Sequence, residues 1–478
     1  MWREVLKIYN TLSKTVEEFI PSNPGYVKAY FCGPTPYDHI HVGHARAYVA
    51  FDILKKTLML KGYNVFHVQN ITDIDDKIIA RAREINISWR ELADLYTREY
   101  LELMKAMRIS IDLHPRVTDH IGDIISFIQR LIDKGHAYVA KSGSVYFDVT
   151  TYWDYGRLSG RGKSDEWRQE EEFLAEKRSP FDFALWKAAK PSEPHWESPW
   201  GPGRPGWHIE CSVMSSRYLG GEIDIHGGGQ DLIFPHHENE RAQSEALFGR
   251  SPWVRYWFHV GYLTISGEKM SKSLGNIVTL KDAISKWGAE VIRLWIFSAS
   301  YRKNLEYKEE SLEQARNTYK KIVEIYQILK NIVKEKGVEH RLEERDIEIW
   351  GRLSNAWKGF VAALEDDLDT PRALAYLHEA LSIAGGEVIA RDKGSLALKT
   401  LSILEMIDKV VDILPRAEAM PAISKIDPED LIRLIVEVRQ RLRQRKIYEE
   451  ADWIREQLMR LGVKLIDAKD KTMWVYTS

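Results

Sequence analysis

The sequence predicts an α/β fold built on a parallel sheet, and three features carry that expectation. A strand–helix–strand unit stands near the amino terminus, strand and helix patterns return after residue 220, and helical periodicity alone fills the chain beyond residue 310. Taken in order, Val27 to Cys32 (VKAYFC) is a short apolar, partly β-branched run halted by Gly33-Pro34, which reads as a strand and its turn. From His44 to Lys61, Ala47, Phe51, Leu54 and Leu58 recur at helical spacing and Gly62 supplies the stop. Asn64 to Ile71 (NVFHVQNI) reads as a second strand. This order is the opening unit of a parallel sheet.

Residues 115–202 mix helical and strand patterns and turn rich in Pro, Trp and charge, as an insertion between two halves of one domain would. The sheet pattern resumes at Glu222 to His226 (EIDIH) and runs into Gly227-Gly228-Gly229, read as a glycine-rich turn. A helix from Pro235 and a weakly alternating strand from Trp257 to Ile265 follow. From Ser311 to the mid-410s the periodicity is helical, and Pro415 and Pro421 then mark a linker. After it, Glu429 to Arg443 and Tyr448 to Arg460 form a helical pair, and a short run ends in Trp474. The expected domains are residues 1–114 and 188–300 as the two halves of the α/β domain, 115–187 as the insertion, 301–414 as a helical bundle and 415–478 as a small carboxyl-terminal module.

Composition narrows the class. At 44% hydrophobic residues the chain of 478 has material for a large core, which excludes a disordered protein. With 70 acidic against 68 basic residues the net charge is −2, so a wholly basic nucleic-acid coat is excluded, though a local basic patch is not. No apolar run approaches the roughly 18 residues of a membrane span, and Arg3, Glu4 and Lys7 interrupt any signal peptide. Two cysteines exclude a disulfide scaffold. A soluble, cytoplasmic protein without a membrane partner is expected.

The first chemistry-bearing segment is Pro34 to His44 (PTPYDHIHVGH), between the first strand and the first long helix. A loop at the carboxyl end of a strand sits where open α/β sheets bind ligands. Gly43 admits a phosphate close to the backbone, the helix start favours negative charge, and His41 and His44, three apart, can donate to phosphate oxygens from one side. A helix-capping turn with two ordinary histidines is the equal alternative on this segment alone. The second segment, Lys269-Met270-Ser271-Lys272-Ser273 between Gly267 and Gly275, suits a loop that closes on polyphosphate, its lysines offsetting charge on the oxygens. A solvated surface loop would be preferred for it in isolation, but not beside the first segment. His226 to Gly229 resembles a lipase oxyanion loop in its letters, yet no Gly-x-Ser-x-Gly accompanies it, so a turn admitting a nucleotide fits better.

A metal site is the third expectation. On the helix after Pro235, His236 and Glu240 lie four apart on one face, whereas His237 has Arg241 as its i+4 partner. Were Cys32 and Cys211 to meet them at the carboxyl edge of the sheet, two sulfurs, a nitrogen and an oxygen would surround Zn²⁺. Two small buried cysteines and a solvated acidic helix start explain the same residues as well. Trp207 is read as the wall of a small pocket or as core. Arg439, Arg441, Arg443, Arg445 and Lys446 form a basic cluster able to track a phosphate backbone, with a solvated helix face as the default alternative.

Together, YNTLSKTVEEF, YFCGPTPYDHIHVGHAR, NITDIDDKI, KRSPFDFALWK, GRPGWHIECSVM, DIHGGGQDLIFPHHENERAQ, GEKMSKSLGN and DLDTPRALAYL resemble the class I aminoacyl-tRNA synthetases, and within them the cysteinyl-tRNA synthetases. The resemblance spans nearly the whole chain, with Val42 in place of the usual isoleucine of the first signature. It implies a Rossmann-like catalytic domain, an insertion, a helical bundle and a carboxyl-terminal tRNA-binding module. It further implies L-cysteine, ATP and tRNA(Cys) as partners, one Zn²⁺ per chain, Mg²⁺ with ATP, and a monomer. By that resemblance Cys32, Cys211, His236 and Glu240 are the zinc ligands. His41, His44, Lys269 and Lys272 are catalytic. Gly43, His44, Gly227, Gly228, Asp231 and Lys272 bind ATP, and Thr72, Trp207 and His226 surround the amino acid. A ligase that joins cysteine to an amino sugar is disfavoured by the chain beyond residue 400, and a non-catalytic paralogue by the two intact signatures. Synthetases for methionine or leucine are disfavoured by the cysteine placement and the short insertion.

Overall fold

The computed structural model describes residues 5–161, 175–270, 277–338, 341–416, 428–467 and 472–476, in two compact units, residues 1–414 and 415–478. The larger unit begins with a hairpin of β1 (Lys7–Asn10) and β2 (Thr15–Glu18), whose short, weakly alternating strands carry no sequence signal strong enough to announce them. Next come β3 (Tyr26–Phe31), α1 (Val42–Leu60) and β4 (Asn64–Gln69), then α2 (Asp76–Glu84) and α3 (Trp89–Ala106). The helix predicted from His44 thus starts at Val42, where extended backbone at His41 ends.

Next come α4 (Ile121–Asp133) and an antiparallel sheet of β5 (Ala137–Val139), β6 (Val145–Phe147), β7 (Phe183–Ala188) and β8 (Gly203–Pro205), which reaches beyond the 115–187 expected for the insertion. Then follow α5 (Trp207–Leu219), β9 (Ile223–Gly229), α6 (Glu238–Phe248) and β10 (Val254–Val260). Gly261 and Tyr262 break the expected strand there, and a separate small sheet holds β11 (Leu263–Ile265), β12 (Glu268–Lys269) and β13 (Leu305–Glu306). Helices α7 (Leu280–Trp287) and α8 (Ala289–Phe297) lead into the helical region, α9 (Glu309–Lys336), α10 (Glu344–Glu365), α11 (Thr370–Ile383), α12 (Ile389–Arg391) and α13 (Gly394–Val411).

The central sheet runs β10-β9-β3-β4 and every pairing in it is parallel, so all four carboxyl ends share one edge. Its two faces are buried in different cores. On β3, Val27, Ala29 and Phe31 join a core made with α1, α8 and helices α9 to α13. Tyr30 and Cys32 point the other way, into a core built with α4, α5, α6 and strands β5 to β7. Period-2 alternation along one strand therefore decides which residues meet the site.

The glycine-rich turn expected after His226 is not a turn. Gly227, Gly228 and Gly229 extend β9 and pair with Phe258, His259 and Val260. A Cβ on Gly227 would lie 2.3 Å from the Phe258 carbonyl oxygen and 2.8 Å from the Phe31 ring; one on Gly228 would lie 2.9 Å from His237 Cε1. These glycines are demanded by close packing, which their letters alone do not reveal.

The smaller unit contains α14 (Pro428–Gln444), α15 (Tyr448–Arg460) and a hairpin of β14 (Val463–Asp467) and β15 (Thr472–Tyr476), closed over Ile432, Val436, Leu458, Val463 and Leu465. Its basic cluster is smaller than the sequence suggests. Arg439 is buried and gives two parallel hydrogen bonds to Asp467, at 2.7 and 2.9 Å. Arg443 reaches the same carboxylate at 2.7 Å and Arg441 pairs with Glu437 at 2.6 Å.

Candidate active site

Four loops leave the shared carboxyl edge, and each brings part of a site. The loop from β3 ends at His41, the residue before α1. The His41 backbone N–H donates to His44 Nδ1 at 3.2 Å, so a neutral His44 ring carries its proton on Nε2. The two imidazoles lie 3.9 Å apart, centroid to centroid. A Cβ on Gly43 would stand 2.8 Å from His41 Nδ1, so glycine at 43 is what lets the His41 ring lie across the helix start. The Val42 N–H bonds to the Val278 carbonyl at 3.1 Å and the Leu280 N–H to the Ile40 carbonyl at 2.8 Å. The chain that follows the lysine-rich segment is thus zipped onto the first signature. Lys269 contributes backbone to β12, while Lys272 lies outside the described residues.

Behind this loop is a buried cluster of sulfur, nitrogen and oxygen donors. Cys32 follows β3, Cys211 sits in α5, His236 and His237 occupy a wide turn after Pro235, and Glu240 lies in the first turn of α6. Donor atoms of Cys32, His236, His237 and Glu240 all fall within 4.8 Å of one another. Cys32 Sγ is 3.9 Å from Cys211 Sγ, 3.8 Å from Glu240 Oε1 and 3.2 Å from His237 Nε2, and His236 Nε2 is 3.0 Å from Glu240 Oε1. His226 Nε2 holds the other Glu240 oxygen at 2.8 Å, while its Nδ1–H donates to the Tyr30 carbonyl at 3.0 Å. His237 Nδ1 meets His259 Nε2 at 2.7 Å, and His259 in turn meets Thr11 Oγ1 at 2.8 Å.

Burial and mutual charge set the protonation of this cluster. Burial, then the neighbouring Cys211 and Glu240, push the Cys32 thiol up. Burial would do the same to Cys211, but hydrogen bonds from Cys32 and His236 bring it down to about 6. Burial opposes a charged His236, yet Glu240 and Cys211 raise it to about 10. Burial likewise opposes an ionised Glu240, and His226 and His236 overcome it, lowering the carboxyl to about 2.

The residues read as an amino-acid pocket adjoin the cluster. Trp207, half-buried in α5, lies 4.3 Å from the His236 ring, centroid to centroid, and His226 is fully buried. Thr72 Oγ1 donates to Glu210 Oε2 and receives Asn70 Nδ2, both at 3.1 Å. Asp231 is exposed just past the end of β9. Asn70 and Glu210 are members of this constellation that no sequence pattern singles out, and His237 is one that its i+4 partner Arg241 argues against. His237 also lies three residues from Glu240, a spacing that shares a helix face as i+4 does. Asn70 and Glu210 had one available signal, adjacency to a strand's carboxyl end and to Cys211.

Comparison with known proteins agrees with this architecture. Residues 18–317 match the family model of the tRNA synthetases class I (C) catalytic domain. The chain is 51% identical to a cysteine–tRNA ligase of Staphylothermus marinus over 98% of this chain and 99% of that one. It is 45% identical to a cysteine–tRNA ligase of Thermococcus gammatolerans, over 98% of each. Among solved structures, a Mycobacterium tuberculosis methionyl-tRNA synthetase in complex with methionyl-adenylate superposes with a TM-score of 0.60 at 16% identity, covering 81% of this chain and 91% of that one. A leucyl enzyme, the LeuRS of an Agrobacterium radiobacter ternary complex, gives 0.63 at 11% identity, covering 83% and 85%. At such identities the structural likeness shows the fold alone.

Proposed function

The chain belongs to the cysteine–tRNA ligase family of class I synthetases, and from that premise we propose that it joins L-cysteine to ATP as cysteinyl-adenylate, releasing pyrophosphate, and then passes the cysteinyl group to the terminal ribose of tRNA(Cys). The observation that carries this reading is the convergence of Cys32, Cys211, His236 and Glu240 at the sheet's carboxyl edge, where the loop to His41 begins.

These residues fit zinc. Bonds of about 2.0 Å to nitrogen or oxygen and 2.3 Å to sulfur imply tetrahedral ligand–ligand separations of roughly 3.3 to 3.8 Å; Cys32–Cys211, Cys32–Glu240 and His236–Glu240 stand at 3.9, 3.8 and 3.0 Å. Cys32, Cys211, His236 and Glu240 would hold the ion, with His237 close enough to serve as an alternative nitrogen donor. Bound among thiolates, zinc would favour a substrate sulfur over a hydroxyl, which is the distinction between cysteine and serine. An apolar pocket alone discriminates weakly between such near-isosteres.

Attack of the amino-acid carboxylate on the α-phosphate needs in-line placement and charge neutralisation more than a protein nucleophile. His41 and His44 donate to phosphate oxygens, Gly43 keeps the backbone open, and Lys269 and Lys272 neutralise charge as it builds. Gly227, Gly228 and Asp231 line the nucleotide side, with Mg²⁺ arriving on ATP, and Thr72, Trp207 and His226 surround the amino acid. Residues 115–187 act as a connective insertion, too short for a large editing domain, and residues 415–478 as the tRNA-binding module of a monomer. Metal content measured alongside amino-acid-dependent ATP–pyrophosphate exchange tests the reading. One zinc per chain and exchange with cysteine far above serine are expected; normal cysteine-dependent exchange by metal-free protein would overturn the selectivity role.

A further inference from the structure

Arg46 stands in α1 two residues after His44 and is 2% exposed, yet among the described residues no aspartate or glutamate pairs with it. Three other deeply buried arginines each have an acidic partner: Arg241 has Asp154, Arg293 has Asp52 and Arg439 has Asp467. Burial brings the Arg46 guanidinium down to about 10, so it remains a cation at neutral pH. A buried charge without a counter-ion must be held by dipoles instead. Arg46 finds three backbone carbonyls. Its Nη1 donates to that of Tyr262, and its Nη2 to those of Lys303 and, at 3.3 Å, Ser300.

These carbonyls are not scattered. Tyr262 joins β10 to β11, and residues 300–303 lead into β13, so both belong to connections of the small sheet. The Tyr262 carbonyl also accepts the Leu305 N–H at 2.9 Å, and the Thr264 carbonyl accepts that of Tyr307 at 2.8 Å, which ties β13 to β11. Strand β11 in turn pairs with β12, Thr264 opposite Lys269, and the Met270 N–H reaches the Leu263 carbonyl at 3.2 Å. The approach is close on both sides. A Cβ on Gly261 would lie 2.7 Å from the Lys303 carbonyl oxygen, and one on Gly43 would lie 3.8 Å from Leu263 Cβ. One side chain of the first signature helix therefore grips both connections of the sheet that carries Lys269.

We propose that Arg46 is a positioning residue for adenylate formation: it fixes the β11–β12–β13 sheet, and with it the Lys269 backbone, against the helix that carries His44. The inference rests on the ligase reading above. Arg46→Met keeps an extended side chain and removes the donors. On the zinc-loaded full chain, kcat of cysteine-dependent pyrophosphate exchange should fall roughly ten- to a hundredfold, the cost of a displacement on the order of 1 Å. KM for cysteine and metal content should stay near wild type. Hydrogen exchange at the Met270, Leu305 and Tyr307 amides should quicken about tenfold or more, while that of the β9 amides should not change. Normal kcat in folded R46M, or a rise in KM for cysteine as large as the fall in kcat, would overturn the role. Should R46M not fold, Gly261→Ala reaches the same contact from the other side, because its Cβ drives the Lys303 carbonyl away. It should reproduce the split between kcat and KM, and normal kcat there would equally overturn the role. Amide exchange keeps the two readings apart. Quickened amides in R46M, with no cysteine-dependent pyrophosphate exchange by the wild type, would leave the grip of Arg46 on the small sheet standing and sink the ligase reading.

Discussion

At position 43 a missing side chain decides where an imidazole lies, because a Cβ there would press within 2.8 Å of the His41 ring. Gly43→Ala must push His41 off the helix start while leaving the sulfur cluster untouched. Misplacement on the order of 1 Å costs about 10²-fold in rate, so pyrophosphate exchange should fall roughly ten- to a hundredfold in kcat, with KM for cysteine near wild type. A large rise in that KM instead would place His41 at the amino acid. Cys211→Ser addresses the other half of the site. It replaces a sulfur whose thiolate is favoured by Cys32 and His236 with an oxygen that stays protonated. Zinc content and cysteine activation should be lost together, read by metal analysis and exchange on the same sample. That His41, Gly43 and His44 stand together at one helix start was legible in the sequence, because that placement is local. Glu210 was not, because its partner Thr72 lies 138 residues away in the chain.

Elements were legible where periodicity had one dominant partner and illegible where packing overrode it. Strand β3 and helix α1 follow their patterns within two residues, whereas β9 runs straight through three glycines because strand β10 and the His237 ring press on it. The carboxyl-terminal hairpin shows the same limit with charge. Arg439 reads as part of a basic patch, but α14 turns it inward onto Asp467 at the end of β14. Asp467→Asn should lower the stability of residues 415–478 by about 2 kcal/mol, the scale of hydrogen bonds to a charged group. The Arg439 hydrogen bonds hold the Asp467 carboxyl well below the usual aspartate range. Its contribution is therefore complete above the ordinary aspartate pKa and fades as pH drops through the lower folded value. Acid titration of the native chain should loosen this unit at low pH, and in the D467N protein that component should vanish. A pH-independent difference between the two would remove Asp467 as the cause.

On the scale of the molecule, the helical region does not stand apart from the sheet. Residues of α9 to α13 and of β3, α1 and α8 share one continuous apolar core, so residues 309–411 are a layer of the larger unit. Arg293 pins that layer. Fully buried in α8, it donates to the Val411 carbonyl at 2.9 Å, the Met107 carbonyl at 2.8 Å and Asp52 Oδ2 at 2.7 Å, joining α13, the end of α3 and α1. Arg293→Met fills similar volume but leaves two carbonyls without those donors and Asp52 with Lys56 as its remaining ion pair. Losing one partner of a buried charged network costs about 3 kcal/mol or more. A shared core demands that sheet and helical layer unfold together, so R293M should shift a single denaturant transition of the larger unit without splitting it. The smaller unit has its own core and should respond to D467N instead. Two transitions within residues 1–414 of R293M, one for the sheet and one for the helices, would mean that the common core does not couple them.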